Sequence, residues 1–193
     1  MPIEQWFPTP IYYGDVTGDR LNAVQDELLA CCNSLSFQQN EAWGSTEHNL
    51  SDVSFRTSVI NDRKLTAIAD VIDYHLKQYI PSEFHQRKYD IVESWFTKTL
   101  KNQYSHQHHH GRWDIAGCYY VQTNGSDGSI HFHNPTSLTA SYIFANHVDQ
   151  TVSYAPVVGR ILLFPAWLAH NVSENRTDSE RVSIAFNIAF DRT

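Results

Sequence analysis

The chain has 193 residues, of which 41% are hydrophobic and 18% charged, a composition that fits one globular domain with a sizeable core. Its formal net charge is -7 and its 14 basic residues form no cluster, which argues against a protein that holds nucleic-acid backbones. No stretch approaches the ~20 apolar residues of a membrane span, and MPIEQWFPTP lacks the basic and then apolar pattern of a signal peptide.

The cysteines point to a reducing compartment. Their number is odd, and Cys31 and Cys32 are adjacent, so neither a disulfide framework nor a bridge within the pair is favoured; the third is Cys118. We therefore expect a cytoplasmic protein that is not associated with a membrane. The sequence is compatible with an oligomer and does not specify one.

The first third of the chain predicts an extended arm and two helices. The segment WFPTPIYYGDV carries two prolines around a short apolar run, as edge strands do. Apolar residues at helical spacing predict an amphipathic helix over 19–35 and another over 62–78. Asn61 or Asp62 is the predicted N-cap of the second helix, and Pro81 follows its end.

After Tyr89 the pattern changes to short β-rich segments separated by Gly, Pro, Asn and Asp. Such a series predicts an antiparallel sandwich or jelly roll, and helices followed by strands predict an α+β fold whose N-terminal helices pack on one sheet. No linker interrupts the pattern, so we predict a single domain over 1–193. The predicted strands are IVESWFTKTL, IAGCYYV, IHFHNP, SYIFA, TVSYAPV, GRILLFP and RVSIAFNIAF.

Four of the eleven histidines fall within 106–110, directly before a predicted strand. In an H-x-H pair, His108 and His110 project from one side of an extended segment, and His170 follows a distant strand. Two imidazoles close in sequence and a third from elsewhere can cap one face of a metal ion while other positions stay open, as catalytic metals require. Non-haem Fe(II) oxygenases use this plan in their 2-His-1-carboxylate triad.

An arginine lies on the next predicted strand after His170. Arg181 follows His170 by eleven residues, and its guanidinium can hold a carboxylate through two parallel hydrogen bonds. Ser183, two residues further, shares the strand face of Arg181. The pair is therefore a candidate clamp for a dicarboxylate.

Four motifs carry a resemblance that covers nearly the whole chain. They are Phe7-Pro8-Thr9-Pro10, HHHG leading into AGCYYV, FPAWLAHNV and ERVSIAFNI. With them the chain resembles the Fe(II)/2-oxoglutarate-dependent oxygenase superfamily, and more narrowly an uncharacterised oxygenase-like family common in marine bacteria and their phages. For a phage protein the expected location is the host cytoplasm.

The resemblance implies a double-stranded β-helix (jelly roll) that binds Fe(II) and the co-substrate 2-oxoglutarate. His170 corresponds to the distal metal ligand and Arg181 to the residue that pairs the co-substrate's distal carboxylate. Ser183 completes an R-x-S pattern, Tyr120 matches a tyrosine that joins the arginine, and Tyr104 lies where related enzymes place co-substrate-lining groups. The implied activity is a dioxygenase, most simply a hydroxylase of a small molecule or peptide, that releases succinate and CO2.

The second ligand position departs from the superfamily pattern, because His110 stands where H-x-D has aspartate. The reading we favour is a neutral site of His108, His110 and His170, since the narrower family carries H-x-H. Alternatively Asp114 supplies the carboxylate. A third reading places one histidine of the cluster outside the ligand set and leaves a metal position for substrate.

The other clustered histidines have less specific roles. His106 and His109 are predicted to face away from the metal. His131 and His133 alternate on a predicted strand and so share one face, from which they would line the substrate entrance or replace the first pair as ligands.

Two other classes of protein remain open. The H-x-H-x3-D segment, together with Gly159-x5-Pro165 and His170, resembles the two cupin motifs. A cupin would be a three-histidine metal enzyme or metal-dependent binding module that does not use 2-oxoglutarate. A jelly-roll protein that only binds a sugar or a partner chain is the other class. Arg181 separates these readings, since a cupin needs no carboxylate clamp there.

Overall fold

A computed structural model describes residues 8–39, 49–52, 57–136 and 149–191. The described helices are α1 Gly18–Asn33, α2 Val59–Asp62 and α3 Thr66–Tyr79. The described strands are β1 Tyr12–Asp15, β2 Phe37–Gln39, β3 Leu50–Asp52, β4 Tyr89–Thr99, β5 Ser105–His108, β6 Ile115–Gln122, β7 Ile130–His133, β8 Thr151–Tyr154, β9 Arg160–Pro165, β10 His170–Val172 and β11 Arg181–Phe190.

Within the described residues the strands form two sheets. One has seven strands in the order β1-β9-β6-β11-β4-β3-β2, and the other has four in the order β5-β10-β7-β8. The strand pairs in both sheets are antiparallel. The long strands β4 and β11 pair over ten residues of β11 with one bulge after Asn187, so they form the rigid centre of the large sheet.

The two faces of β11 have different surroundings because side chains alternate along a strand. Ile184 on one face is fully buried in a cluster that also contains Leu28 of α1, Ile72 of α3 and Ile161 of β9. Burial of each such side chain stabilises the fold by about 1.5–3 kcal/mol. The opposite face of β11 is turned to a cavity that residues of the four-stranded sheet also line.

The predicted start of the second long helix is wrong. Ser58 caps α2 instead, since its Oγ accepts the backbone N–H of Asn61 at 3.3 Å, and Asp62 is the last residue of that short helix. Lys64 then has φ 54°, in the left-handed region, which ends the helical run before α3 begins at Thr66. The Ser58 cap and the left-handed backbone of Lys64 thus divide the apolar pattern into two helices, α2 and α3.

The structure agrees with the predicted N-terminal edge strand and adds several short strands that the sequence does not predict. The edge strand predicted near the N-terminus is confirmed, because Tyr12–Asp15 is the outermost described strand of the seven. SYIFA lies outside the described residues. The short strands β2, β3, β5 and β10 were not predicted, since three or four residues show too little alternation. None of the described helices has the length and apolar character needed to cross a membrane.

A buried histidine joins β1 to α3. The hydroxyl of Tyr12 lies 2.8 Å from Nδ1 of His75, which is 6% exposed and makes an edge-on ring contact with Tyr74. Burial lowers the pKa of His75, the positive charge of Arg20 lowers it further, and Asp15 opposes both. The folded state therefore favours the neutral imidazole, whereas the unfolded chain takes up a proton near the ordinary pKa of 6.5.

The free energy of unfolding should accordingly fall as the pH drops below the ordinary histidine pKa, because only the unfolded state then gains a proton readily. We expect the loss between about pH 7.5 and about pH 5 to be smaller in His75→Phe than in the parent. Urea unfolding of metal-free protein at both pH values measures the two differences. Equal losses in the two proteins would show that His75 does not contribute.

Candidate active site

A cavity of about 1150 Å³ lies between the two sheets. Its floor is one face of β11, where alternate residues line it: Arg181, Ser183, Ala185 and Asn187. The sequence pattern R-x-S-x-A-x-N of this strand therefore places four polar or small side chains in a row, while the intervening residues enter the core. One strand thus extends along the whole site.

The neighbours of β11 complete the floor in cross-strand rows. Ser183 pairs with Thr97 of β4 on one side and with Tyr120 of β6 on the other. The next row places Ala185 between Trp95 and Cys118. Because Ala185 is small, the centre of the floor stays open between larger side chains, and a flat ligand can lie along β11.

Three histidines meet above this floor. His108 ends β5 and pairs directly with His170, the first residue of β10. His110 lies in the turn after β5, where its N–H donates to Ala166 O at 2.6 Å. One ring nitrogen from each imidazole lies within 4.8 Å of those of the other two. The predicted H-x-H pair and the distal histidine are therefore brought together.

Hydrogen bonds set the tautomers of two of these rings. Nδ1 of His108 lies 2.7 Å from His106 O, and Nδ1 of His170 lies 2.9 Å from Leu168 O. A carbonyl oxygen can only accept, so each Nδ1 must carry the proton. In both rings the lone pair is then on Nε2, which is the ligand form of a neutral histidine.

His110 is held by side chains instead of a backbone carbonyl. Its Nδ1 lies 2.8 Å from Oδ1 of Asn187, whose Nδ2 donates to Glu93 Oε2 at 2.8 Å. The amide oxygen of Asn187 therefore accepts from His110, and the lone pair of His110 is likewise on Nε2. The indole of Trp95 stacks on the ring, with centroids 5.8 Å apart and planes 11° apart. The orientation of His110 is thus fixed on two sides.

The electrostatics favour neutral imidazoles. Burial lowers the pKa of His170, which is 5% exposed, well below the ordinary value, and His108 lowers it further. Burial likewise lowers the pKa of His108, and it lowers the pKa of His110 to about 4. Histidine binds metal ions in its neutral form, so this group is ready to bind one at neutral pH.

Arg181 is buried in the same cavity and is 3% exposed. Its Nη1 donates to Asp127 O at 2.8 Å and to Gly128 O at 2.7 Å, and its Nη2 donates to Thr99 Oγ1 at 2.9 Å. These bonds use three of the five N–H groups of the guanidinium. Burial lowers the pKa of Arg181, although its charge is retained.

Within the described part of the chain, no carboxylate forms an ion pair with Arg181. The hydrogen-bond acceptors of Arg181 are neutral, although the buried Asp127 attracts its charge from a longer distance. Burial of the cation is costly, and an anionic ligand would offset part of that cost. Ser183 and Tyr120 also line the cavity, as the clamp prediction requires. The arrangement is suited to a carboxylate.

Two candidates from the sequence lie elsewhere. Oδ2 of Asp114 accepts the N–H of Phe190 at 2.8 Å, and the group of possible metal ligands contains no carboxylate among the described residues. Tyr104 makes an edge-on contact with the ring of His106, centroids 4.8 Å apart, and is not a lining residue of the described cavity. The group of possible ligands therefore contains His110 and not Asp114.

Among the described residues, His109, His131 and His133 lie outside the three-histidine group. Nδ1 of His131 is 2.6 Å from Ser153 Oγ, and Nε2 of His133 is 2.7 Å from Asn171 Oδ1. His131 and His133 alternate with the buried side chains of β7, so they face away from the core. His109 lines the cavity but its ring accepts the N–H of Gly111 and does not join the ligand group.

Sequence reasoning missed Glu93 and Asn187, the network behind His110. The signal was present, because Asn187 continues the alternation that starts at Arg181 and Ser183, and Glu93 holds the same position relative to Trp95 on the neighbouring strand. When polar residues recur at every second position of a buried strand, one face of that strand does not pack in the hydrophobic core.

Part of the chain matches a model of a known protein family. A family model described as "Putative 2OG-Fe(II) oxygenase" matches residues 93–187. The matched segment begins at Glu93, ends at Asn187 and contains the three histidines and Arg181. A search of curated proteins finds no match.

Solved structures share the fold at low sequence identity. HygX from Streptomyces hygroscopicus, with nickel and 2-oxoglutarate bound, is 12% identical with a TM-score of 0.65, over 94% of this chain and 83% of that one. A Pseudomonas putida prolyl-4-hydroxylase is 14% identical with a TM-score of 0.57, over 95% and 94%. The non-haem α-ketoglutarate-dependent epimerase SnoN of nogalamycin biosynthesis is 10% identical with a TM-score of 0.64, over 93% and 77%.

These likenesses confirm the predicted jelly-roll type of fold, mixed α and β with mostly antiparallel sheets. The family match covers the strands that build the cavity, from β4 to β11. Residues 93–187 thus match the 2OG-Fe(II) oxygenase family model, and the chain is similar in fold to solved 2-oxoglutarate-dependent oxidoreductases.

Proposed function

We propose that the protein is an Fe(II)- and 2-oxoglutarate-dependent dioxygenase that hydroxylates a small molecule or a peptide. In the balanced reaction, substrate R–H, 2-oxoglutarate and O2 give R–OH, succinate and CO2. One observation supports this most strongly: three imidazoles, each with its lone pair on Nε2, share a cavity with a buried guanidinium that forms no ion pair with a carboxylate among the described residues. A metal chelator with a distal carboxylate satisfies both groups.

The residues have distinct roles in this proposal. His108, His110 and His170 hold the metal through Nε2 and leave its remaining positions to ligands. When bound, Fe(II) supplies the one- and two-electron chemistry of oxygen that no side chain provides. Arg181, with Ser183 beside it on β11, holds the distal carboxylate and so fixes the direction in which 2-oxoglutarate lies along the floor.

The buried walls of the cavity restrict water around the metal-binding nitrogens. Phe164 contacts the ring of His170 with centroids 4.8 Å apart, and Phe132 contacts the same ring with centroids 6.0 Å apart. Exclusion of water strengthens the electrostatic contacts of the bound co-substrate and limits side reactions. We infer further that the chain belongs to the narrower marine-bacterial and phage family, on the basis of its HHHG, FPAWLAHNV and ERVSIAFNI motifs.

The test is consumption of 2-oxoglutarate. Metal-stripped protein reconstituted anaerobically with Fe(II) should, on exposure to O2, release succinate from 2-oxoglutarate even without a primary substrate, and the released succinate should carry one oxygen atom from labelled ¹⁸O2. Ni(II)-substituted protein is the matched control, because it fills the ligands without supporting the oxidation. Metal binding without 2-oxoglutarate binding or succinate release would overturn the proposal in favour of a cupin-type centre.

A further inference from the structure

The metal-binding group is unusual in having no carboxylate among the described residues. With three neutral imidazoles, a bound divalent ion keeps its full charge at the centre of a buried site. Among the described residues, one carboxylate lies a single hydrogen-bonded residue behind His110. There Asn187 accepts the His110 Nδ1–H and donates to Glu93, with both heavy-atom distances 2.8 Å.

We propose that Glu93, acting through Asn187, is a positioning residue that orients His110 and supplies the negative charge that the three-histidine ligand set lacks. The inference rests on the metal centre of the proposed function and extends it to two further residues. In this proposal the Glu93 carboxylate does not bind the metal ion. It polarises the His110 imidazole through the side-chain amide of Asn187.

The backbone places this chain of contacts. Glu93 and Asn187 are directly opposite on β4 and β11, and a bulge follows Asn187. Cross-strand neighbours bring their Cβ atoms to about 4.5–5.5 Å, within reach of one side-chain hydrogen bond. The contact from Asn187 to Glu93 is therefore set by strand register and does not depend on a loop.

Glu93 is held as an anion. It is 8% exposed, and its Oε2 also accepts Trp113 Nε1–H at 2.8 Å, while Oε1 accepts from Arg112. Burial raises its pKa, but the hydrogen bonds from Trp113, Asn187 and Arg112 outweigh burial, so the pKa lies below the usual value. A buried carboxylate retained next to a metal-binding ring has an electrostatic effect on that ring.

Arg112 lies at the opposite end of the network and offers a matched control. Its side chain is 70% exposed, and it stacks over Trp113 with its guanidinium carbon 4.6 Å from the ring centroid. Its positive charge partly neutralises the negative charge of Glu93, which weakens the effect of Glu93 on His110. Loss of Arg112 should therefore have the opposite effect on the metal from loss of the Glu93 charge.

The experiment is a titration of metal-stripped protein with Co(II), followed by the visible absorption of the bound ion. Glu93→Gln keeps the shape and removes the charge, and we expect Co(II) to bind about 10- to 100-fold more weakly. Arg112→Gln should bind Co(II) as well as the parent or more tightly. The Fe(III)/Fe(II) midpoint potential should rise in Glu93→Gln, because the reduced ion loses less stabilisation than the oxidised one.

A third variant covers a possible failure of Glu93→Gln to fold. Asn187→Ala interrupts the relay without touching Glu93, and its loss of Co(II) affinity should not add to that of Glu93→Gln, since both act through one chain of contacts. Unchanged Co(II) affinity in Glu93→Gln or Asn187→Ala would overturn the inference while leaving the metal centre intact. If Arg112→Gln lowered Co(II) affinity as much as Glu93→Gln does, the inference would also be overturned. The loss of affinity would then come from disturbed packing and not from the lost charge. If the parent protein bound no Co(II), the result would contradict the proposed function itself.

Discussion

His170→Ala is expected to abolish succinate release and to reduce Co(II) or Fe(II) affinity by more than the ~100-fold that loss of an outer hydrogen-bond partner can cause. His170 is the one member of the group that comes from the distant strand β10. Without it, only His108 and His110 remain, two residues apart on one segment. Two ligands from one segment hold an ion far less firmly than three that converge from two strands.

His133→Ala is the control for this variant. His133 is also an imidazole of the four-stranded sheet, on the neighbouring strand, and its hydrogen bond to Asn171 faces away from the cavity. We expect metal affinity and succinate release close to those of the parent. Metal affinity measured directly separates loss of the ligand from a mere loss of turnover.

Stability has to be measured in the same variants, because His170 is buried against Phe132 and Phe164. Deletion of its ring leaves a cavity and an unpaired Leu168 O, which lowers the free energy of unfolding of the metal-free protein. His170→Gln fills most of that space and still lacks the imidazole, so it should fold better and bind metal no better than His170→Ala. Metal affinity near that of the parent in folded His170→Gln would contradict the assignment of His170 as a ligand.

The parts of the fold that the sequence predicts well are those with long regular patterns. Eleven residues of β4 and ten of β11 alternate clearly, and each strand forms where the pattern indicates. The start of α3 was misplaced because the apolar spacing continues across Lys64, whose left-handed backbone leaves no trace in that spacing. Short strands such as β5 and β10 exist because of partners far along the chain, which a local window cannot show.

The candidate site likewise contains residues that the sequence predicts and contacts that only the folded structure defines. His108, His110 and His170 could be proposed from residue type, spacing and resemblance, and Arg181 from its place on the next strand. The relay from His110 to Glu93 depends on a cross-strand register 94 residues apart in sequence. Only after β4 and β11 are aligned does the Asn187 amide have a defined partner on each side.

Arg181→Ala is expected to act on the co-substrate and to spare the metal. Loss of charged hydrogen bonds of about 1.5–3 kcal/mol should raise the 2-oxoglutarate concentration required for half-maximal succinate release by about 10- to 150-fold. Co(II) affinity should stay near that of the parent, because the guanidinium contacts Thr99 and the backbone of residues 127 and 128, and no metal-binding ring.

The identity of the lost contact can be tested with a co-substrate that lacks the distal carboxylate. The parent should strongly prefer 2-oxoglutarate to 2-oxopentanoate, which has the same chain length without the second charge. In Arg181→Ala this preference should nearly disappear, because both compounds then meet the same uncharged wall. Arg181→Lys keeps the charge without the planar fork, and we expect an intermediate preference.

Arg176→Ala is the control, since Arg176 is an arginine of the same region whose side chain is 82% exposed and pairs with Glu174 at the surface. It should leave the preference between the two oxo acids unchanged. Removal of Arg181 leaves two backbone carbonyls unpaired but also removes a buried charge, so these effects on folding oppose each other. If Arg181→Ala folds and still prefers 2-oxoglutarate as strongly as the parent does, the distal carboxylate is bound elsewhere and the clamp assignment is wrong.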